Sequence, residues 1–130
     1  MLSRRFLMTA AVAASAAAIA PAFAVETKMF DVRSFTEAQK AGKPILVAIH
    51  ASWCSTCKAQ KPILSELFSG PQFKELVYFV VDFDAQKDAV IFLGARVQST
   101  LIAFKGNTET GRSIGATDRS SIAALLDKTL

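Results

Sequence analysis

Ile45-Leu46-Val47-Ala48-Ile49-His50-Ala51-Ser52-Trp53-Cys54-Ser55-Thr56-Cys57-Lys58 is the stretch on which the fold turns. Behind Pro44, five apolar residues run without polar alternation, and Ile45, Val47 and Ile49 are β-branched. So short and unbroken a run reads as a strand covered on both faces. A few turn residues later, Ile63, Leu64, Leu67 and Phe68 recur at helical spacing. A helix is therefore expected from Cys54 to Phe68, stopped by Ser69-Gly70-Pro71 and kinked at Pro62. Both cysteines of the chain lie at that strand-to-helix junction.

Outward from there the elements alternate. Val77–Phe83 is a second buried strand. Residues 85–95 form a short helix on Ala89, Val90, Phe92 and Leu93, closed by Gly94. Thr100–Phe104 is a third strand, and Gly106-Asn107 turns it toward a fourth at Arg112–Gly115. Asp118 caps a last helix whose Ile122, Leu125 and Leu126 face inward. Upstream, Ser34-Phe35-Thr36-Glu37 has the form of a capping box for a helix ending at Gly42, with a short strand possible before it. Strands one and two, joined through a helix, must be parallel with a right-handed crossover, and three and four form an antiparallel hairpin. The expected architecture is α/β: a mixed central sheet with helices on both faces.

The chain has 130 residues, of which 52% are hydrophobic, and a net charge of +4. Residues 1–24 supply 18 of the hydrophobic residues and two of the basic ones, Arg4 and Arg5. Their order is a basic start, an apolar stretch from Phe6 to Ile19, Pro21 and the small-x-small triplet Ala22-Phe23-Ala24. That is the layout of an export signal cleaved before Val25, and Arg4-Arg5 resembles the twin-arginine type of bacteria. The Ala-rich core falls short of the ~20 residues of a spanning helix, so no stable membrane insertion is expected after cleavage. The remaining domain, 25–130, has 13 basic against 11 acidic side chains. Nucleic-acid binding through a basic footprint is not expected of it. Its expected place is the bacterial periplasm, an oxidising compartment.

Two cysteines are too few for a disulfide scaffold, and their spacing gives them another use. At a helix start the first thiol meets free N–H groups and the positive end of the dipole, while the second lies one turn further in. Cys54 is thus the expected exposed, attacking thiolate and Cys57 the shielded thiol that resolves a mixed disulfide. Lys58 and Lys61 add positive potential. A disulfide closing so small a loop restrains little chain entropy, so its use is redox rather than structural. Two thiolates are also half of a tetrahedral metal set, with His50 four residues upstream, so a metal-binding or metal-delivery module is the rival reading. His50 itself is expected as a packed or hydrogen-bonded side chain at a strand end, and Trp53 as a packing lid or a substrate platform.

Trp53-Cys54-x-x-Cys57-Lys58, Pro62 five residues after the second cysteine, and Ser99-Thr100-Leu101-Ile102-Ala103-Phe104-Lys105-Gly106 together resemble the thioredoxin family over nearly all of 25–130. The resemblance implies a thioredoxin-like three-layer sandwich and a thiol:disulfide oxidoreductase without cofactor or resident metal, expected to work as a monomer on protein or small-molecule disulfides and dithiols. It places Trp53, Ser55, Thr56 and Lys58 around the cysteines, and Gln98, Ser99 and Thr100 in the loop that pairs with substrate. With no room for the helical domain inserted in large periplasmic oxidants, a reductant or electron carrier recharged by a membrane donor is expected. Two positions depart from the family. Ser99 stands where a cis-proline is usual, so the Gln98–Ser99 bond is expected trans, and its N–H or hydroxyl could bond a thiolate. Ala48 stands where many members carry a buried carboxylate, and of the acids near the sheet (Glu37, Asp82, Asp84) the last two are expected to be exposed or capping. A redox-inactive binding domain on the same scaffold is the third reading.

Overall fold

The computed structural model describes residues 10–15 and 24–130. Most of the expected export segment, and with it the twin-arginine pair, lies outside the described residues. The elements are β1 (Thr27–Met29), α1 (Val32–Lys40), β2 (Pro44–His50), α2 (Ser55–Phe68), a single 3-10 turn (Pro71–Phe73), β3 (Val77–Asp82), α3 (Lys87–Phe92), β4 (Thr100–Lys105), β5 (Thr108–Ile114) and α4 (Arg119–Asp127). Among the described residues no helix is long and apolar enough to cross a membrane.

One five-stranded sheet runs β1-β3-β2-β4-β5. β2 pairs in parallel with β3, Ile45 facing Val77 and His50 facing Asp82, and antiparallel with β4, where Val47 faces Ile102. β4 and β5 form the expected hairpin, with a bulge at Ala103/Phe104. Because side chains alternate along a strand, β2 feeds two cores. Ile45, Val47 and Ile49 join Phe30, Phe35, Phe79 and Val90 under α1 and α3. Leu46 and Ala48 join Leu64, Phe68, Tyr78, Ile122 and Leu126 under α2 and α4. These are the three layers of the expected α/β sandwich, and β2 reads as an unbroken apolar run because neither of its faces sees water.

Three local expectations change. α1 begins earlier than the Ser34–Glu37 box: Asp31 is its N-cap, with extended backbone and a side chain that accepts the Ser34 N–H at 2.8 Å. Ser34 is therefore already helical, and Glu37 bonds Arg33 instead of reaching back to a cap. β5 begins at Thr108, four residues before Arg112, since the Gly106-Asn107 turn returns the chain to β4 at once. Its mostly polar edge residues carry no apolar period to reveal it. Phe83 falls outside β3, which ends at Asp82. The cap at Asp118 is as expected, accepting the Ser121 N–H at 2.9 Å.

The two readings of α1 are separable by urea denaturation. Asp31→Ala should cost about 1 kcal/mol, the usual worth of an N-cap, while Ser34→Ala should cost no more than a few tenths.

Candidate active site

β2 delivers its C-terminal end to the top of the sheet, and the chain turns there through Ala51-Ser52-Trp53 before α2 starts. The Cys54 N–H closes the turn on the Ala51 carbonyl at 3.2 Å. Cys54 is the N-cap of α2: its backbone is extended and its sulfur accepts the Cys57 N–H at 3.1 Å. A thiolate there takes the place an Asp or Ser oxygen holds at other helix starts, facing unpaired N–H groups and the positive end of the helix dipole. Cys57 lies one turn in, its Sγ 3.8 Å from the Ile49 carbonyl. Both cysteines are free thiols.

The expectation of an exposed Cys54 is corrected. Cys54 is 4% exposed and Cys57 2%, in a small cluster with Ala51 against Phe83. The capping geometry turns the Cys54 sulfur inward, and the neighbouring surface goes to Trp53, 58% exposed. The Trp53 ring meets Phe83 edge-on at 6.4 Å, and its indole N–H donates to Asp84 at 2.7 Å. Held at both ends, the indole is a fixed apolar plate beside the thiols. Ser55 and Lys58 are exposed and Thr56 half-buried around the same turn.

The opposite wall is the loop before β4. Gln98 is half-buried, while Ser99 and Thr100 are buried. No described peptide bond is cis, so Gln98–Ser99 is trans as expected, with Ser99 left-handed at φ 59°. Its N–H, which a proline would lack, goes to the Ile49 carbonyl at 2.8 Å, the same oxygen that Cys57 Sγ approaches, and it also stands near enough to the Cys57 sulfur to favour its anion weakly, against the larger effect of burial. Thr100 Oγ1 donates to the Val97 carbonyl at 2.8 Å and fastens the loop on itself.

No carboxylate occupies the inner side of the pair. Ala48 is buried. Glu37 is engaged by Arg33, Asp82 accepts the Asp84 and Ala85 N–H groups, and Asp84 accepts the Trp53 indole. Burial therefore dominates Cys57 and pushes its thiol up, with the adjacent Cys54 sulfur adding to the rise. His50 is half-buried, and its buried Nε2 has no hydrogen-bond partner, so of the packed or hydrogen-bonded side chain expected there that atom shows only the packing. Burial and the charges of Lys61 and Lys58 hold its pKa below the ordinary value, against the weaker pull of Asp82. Among the described residues no three His, Cys, Asp or Glu side chains converge as metal ligands.

Gln60 was not expected here. It is 3% exposed, and its amide donates to the carbonyls of Ser99 at 3.1 Å and Ala116 at 3.0 Å. The signal was its spacing. Cys57, Gln60, Leu64 and Phe68 form the buried stripe of α2, so a polar residue sits where an apolar one is due.

The raised Cys57 thiol has a consequence for stability. The folded reduced protein holds that proton more tightly than the unfolded chain. The resulting stabilisation is complete below a thiol's ordinary value and lost as pH climbs through the raised folded one. Between about pH 8 and about pH 10 the urea midpoint of the reduced protein should fall, and that of reduced Cys57→Ala should fall less. Tyr78, pushed up to about 12 by burial, adds a loss of its own from the top of this window, where an unfolded tyrosine begins to ionise, but it does so in both proteins and cancels in their comparison.

Comparison with known proteins agrees with this geometry. Residues 26–128 match the family model for thioredoxin. A thioredoxin of Pseudomonas aeruginosa is 34% identical over 91 residues, covering 70% of this chain and 83% of that protein. Thioredoxin Asp f 29 of Aspergillus fumigatus is 29% identical over 99 residues, 75% of this chain and 90% of its own. The crystal structure of Trxlp from Edwardsiella tarda EIB202 superposes with a TM-score of 0.75 at 39% identity, covering 78% of this chain and 98% of that one. A matching fold, a match along nearly the whole described domain and a cysteine pair at the head of α2 lead to one conclusion: this chain belongs to the thioredoxin family and is a thiol:disulfide oxidoreductase.

Proposed function

We propose that the protein is an exported reductant or electron carrier of the bacterial periplasm, with Cys54 as attacking thiolate and Cys57 as resolving thiol. The observation that carries the assignment of roles is the cap of α2. The Cys54 sulfur faces the Cys57 N–H at 3.1 Å, while the Cys57 thiol lies deeper and is disfavoured as an anion.

The chemistry runs in two exchanges. The Cys54 thiolate attacks one sulfur of a substrate disulfide. A Cys54–substrate bond forms, the substrate bond breaks, and the departing sulfur takes up a proton. Cys57 then gives up its proton and attacks the Cys54 sulfur, which releases the second substrate thiol. The substrate has gained two electrons and the Cys54–Cys57 pair has lost them. A dithiol donor in the membrane restores the pair by the reverse exchanges. Trp53, Ser55, Thr56 and Lys58 on one side, and Gln98, Ser99 and Thr100 on the other, flank the groove a protein substrate would enter. The direction of flow is supported by the absence, among the described residues, of a helical domain inserted in the sheet. Export is supported by the layout of Met1–Ala24.

Cys57→Ser should accumulate mixed disulfides through Cys54 that dithiothreitol releases, and Cys54→Ser should accumulate none. Stoichiometric copper, zinc or iron in protein purified without air, lost in Cys54→Ser, would replace this reading with metal delivery. Replacing Arg4 and Arg5 by Lys should keep the precursor in the cytoplasm of a bacterial host. Its continued export would remove the twin-arginine route.

A further inference from the structure

The Ser99 loop has an unusual means of support. A serine at φ 59° carries a backbone strain that glycine would not, and such residues persist where surrounding bonds over-determine them. Three bonds do so here. The Ser99 N–H is taken by the Ile49 carbonyl at 2.8 Å. The Ser99 carbonyl receives the Gly115 N–H at 3.1 Å and the Gln60 amide at 3.1 Å. Gln60 is the one side chain of the three, and it also holds the Ala116 carbonyl at 3.0 Å. It stands three residues after Cys57, on the same buried stripe of α2.

We infer that Gln60 is a positioning residue: from the cysteine helix it holds Ser99 in its left-handed conformation and so sets the wall opposite Cys54 and Cys57. Elsewhere a proline ring can fix such a loop through its own φ. Here the fixing comes from outside the loop, by one amide bridging two carbonyls that lie 39 and 56 residues further along the chain. Because the amide rides on α2, the spacing between the thiols and the loop is set within one hydrogen-bonded unit. Without the amide the Ser99 carbonyl keeps the Gly115 N–H but loses its tie to α2, and the Ala116 carbonyl loses the donor it had, so the left-handed Ser99 is held by one bond fewer. The loop could then relax from that conformation and shift the backbone a substrate meets. The thiol chemistry of Cys54 would be untouched. The inference rests on the proposed reductant chemistry, and the test separates the two.

The assay is reduction of insulin disulfides with dithiothreitol as donor, read as KM and kcat. Gln60→Met, of similar length but without a donor, should raise KM about tenfold with kcat within about twofold, and leave the rate of Cys54 alkylation by iodoacetamide unchanged. Adding Ser99→Gly should restore KM toward the native value, because glycine holds a positive φ without help. Gln60→Glu supplies a second readout if Gln60→Met folds poorly. Its neutral acid keeps one O–H donor and its ionised form none, so its KM should rise with pH more steeply than the native protein's. An unchanged KM in Gln60→Met, a defect that Ser99→Gly does not relieve, or a Gln60→Glu profile parallel to the native one would overturn the inference. No insulin reduction by the native protein would overturn the functional reading itself.

Discussion

The carbonyl of Ile49 is the atom around which the site is assembled. It belongs to a strand paired on both edges and covered on both faces, so it cannot move without the sheet. Two donors converge on it, the Ser99 N–H and the Cys57 thiol. The loop and the cysteine helix are thus referenced to one rigid point. Their separation is fixed by the sheet at this oxygen and by the Gln60 bridge beside it. That is the pre-organisation thiol exchange needs, since attack on a disulfide demands sulfurs in line at short range.

Polar groups are rationed around this point. Phe83 and Ala51 leave the two sulfurs little contact with water, and Ala48 gives the inner one no carboxylate. The Cys54 anion is served instead by backbone N–H groups at a helix start, which carry no titrating proton of their own. Cys57 is held up by burial while Cys54 sits at the head of α2 as its cap, so two cysteines three residues apart in sequence have different surroundings. The polar contacts that remain near them, Trp53 with Asp84 and Gln60 with two carbonyls, serve geometry rather than proton transfer.

Much of this was legible in the residues, and the reasons differ by element. β2 was legible because burial on both faces leaves an unbroken apolar run. α4 was legible because Asp118 and the Ile122, Leu125 and Leu126 period point to the same start. The cysteine junction was legible because strand, turn and helix each carry their own signal. α1 was misplaced because two capping candidates, Asp31 and Ser34, stand three apart and the pattern favoured the one followed by Glu37. β5 was shortened because an edge strand of Thr, Glu, Gly, Arg and Ser has little to bury. The depth of Cys54 was hidden because it follows from its sulfur capping α2 and packing beside Phe83, a residue remote in the chain. Gln60 was passed over because a lone polar residue in a helix is read as surface unless its angular position is checked.

The shared oxygen at Ile49 also ties the loop to the electron count of the site. In the dithiol form two hydrogens compete for its lone pairs. In the disulfide form Cys57 has no hydrogen to offer, and the oxygen answers to Ser99 alone. Gaining or losing two electrons therefore rewrites the bonding of a peptide group that neither cysteine contains. The loop and the cysteine pair are thus joined through one backbone oxygen.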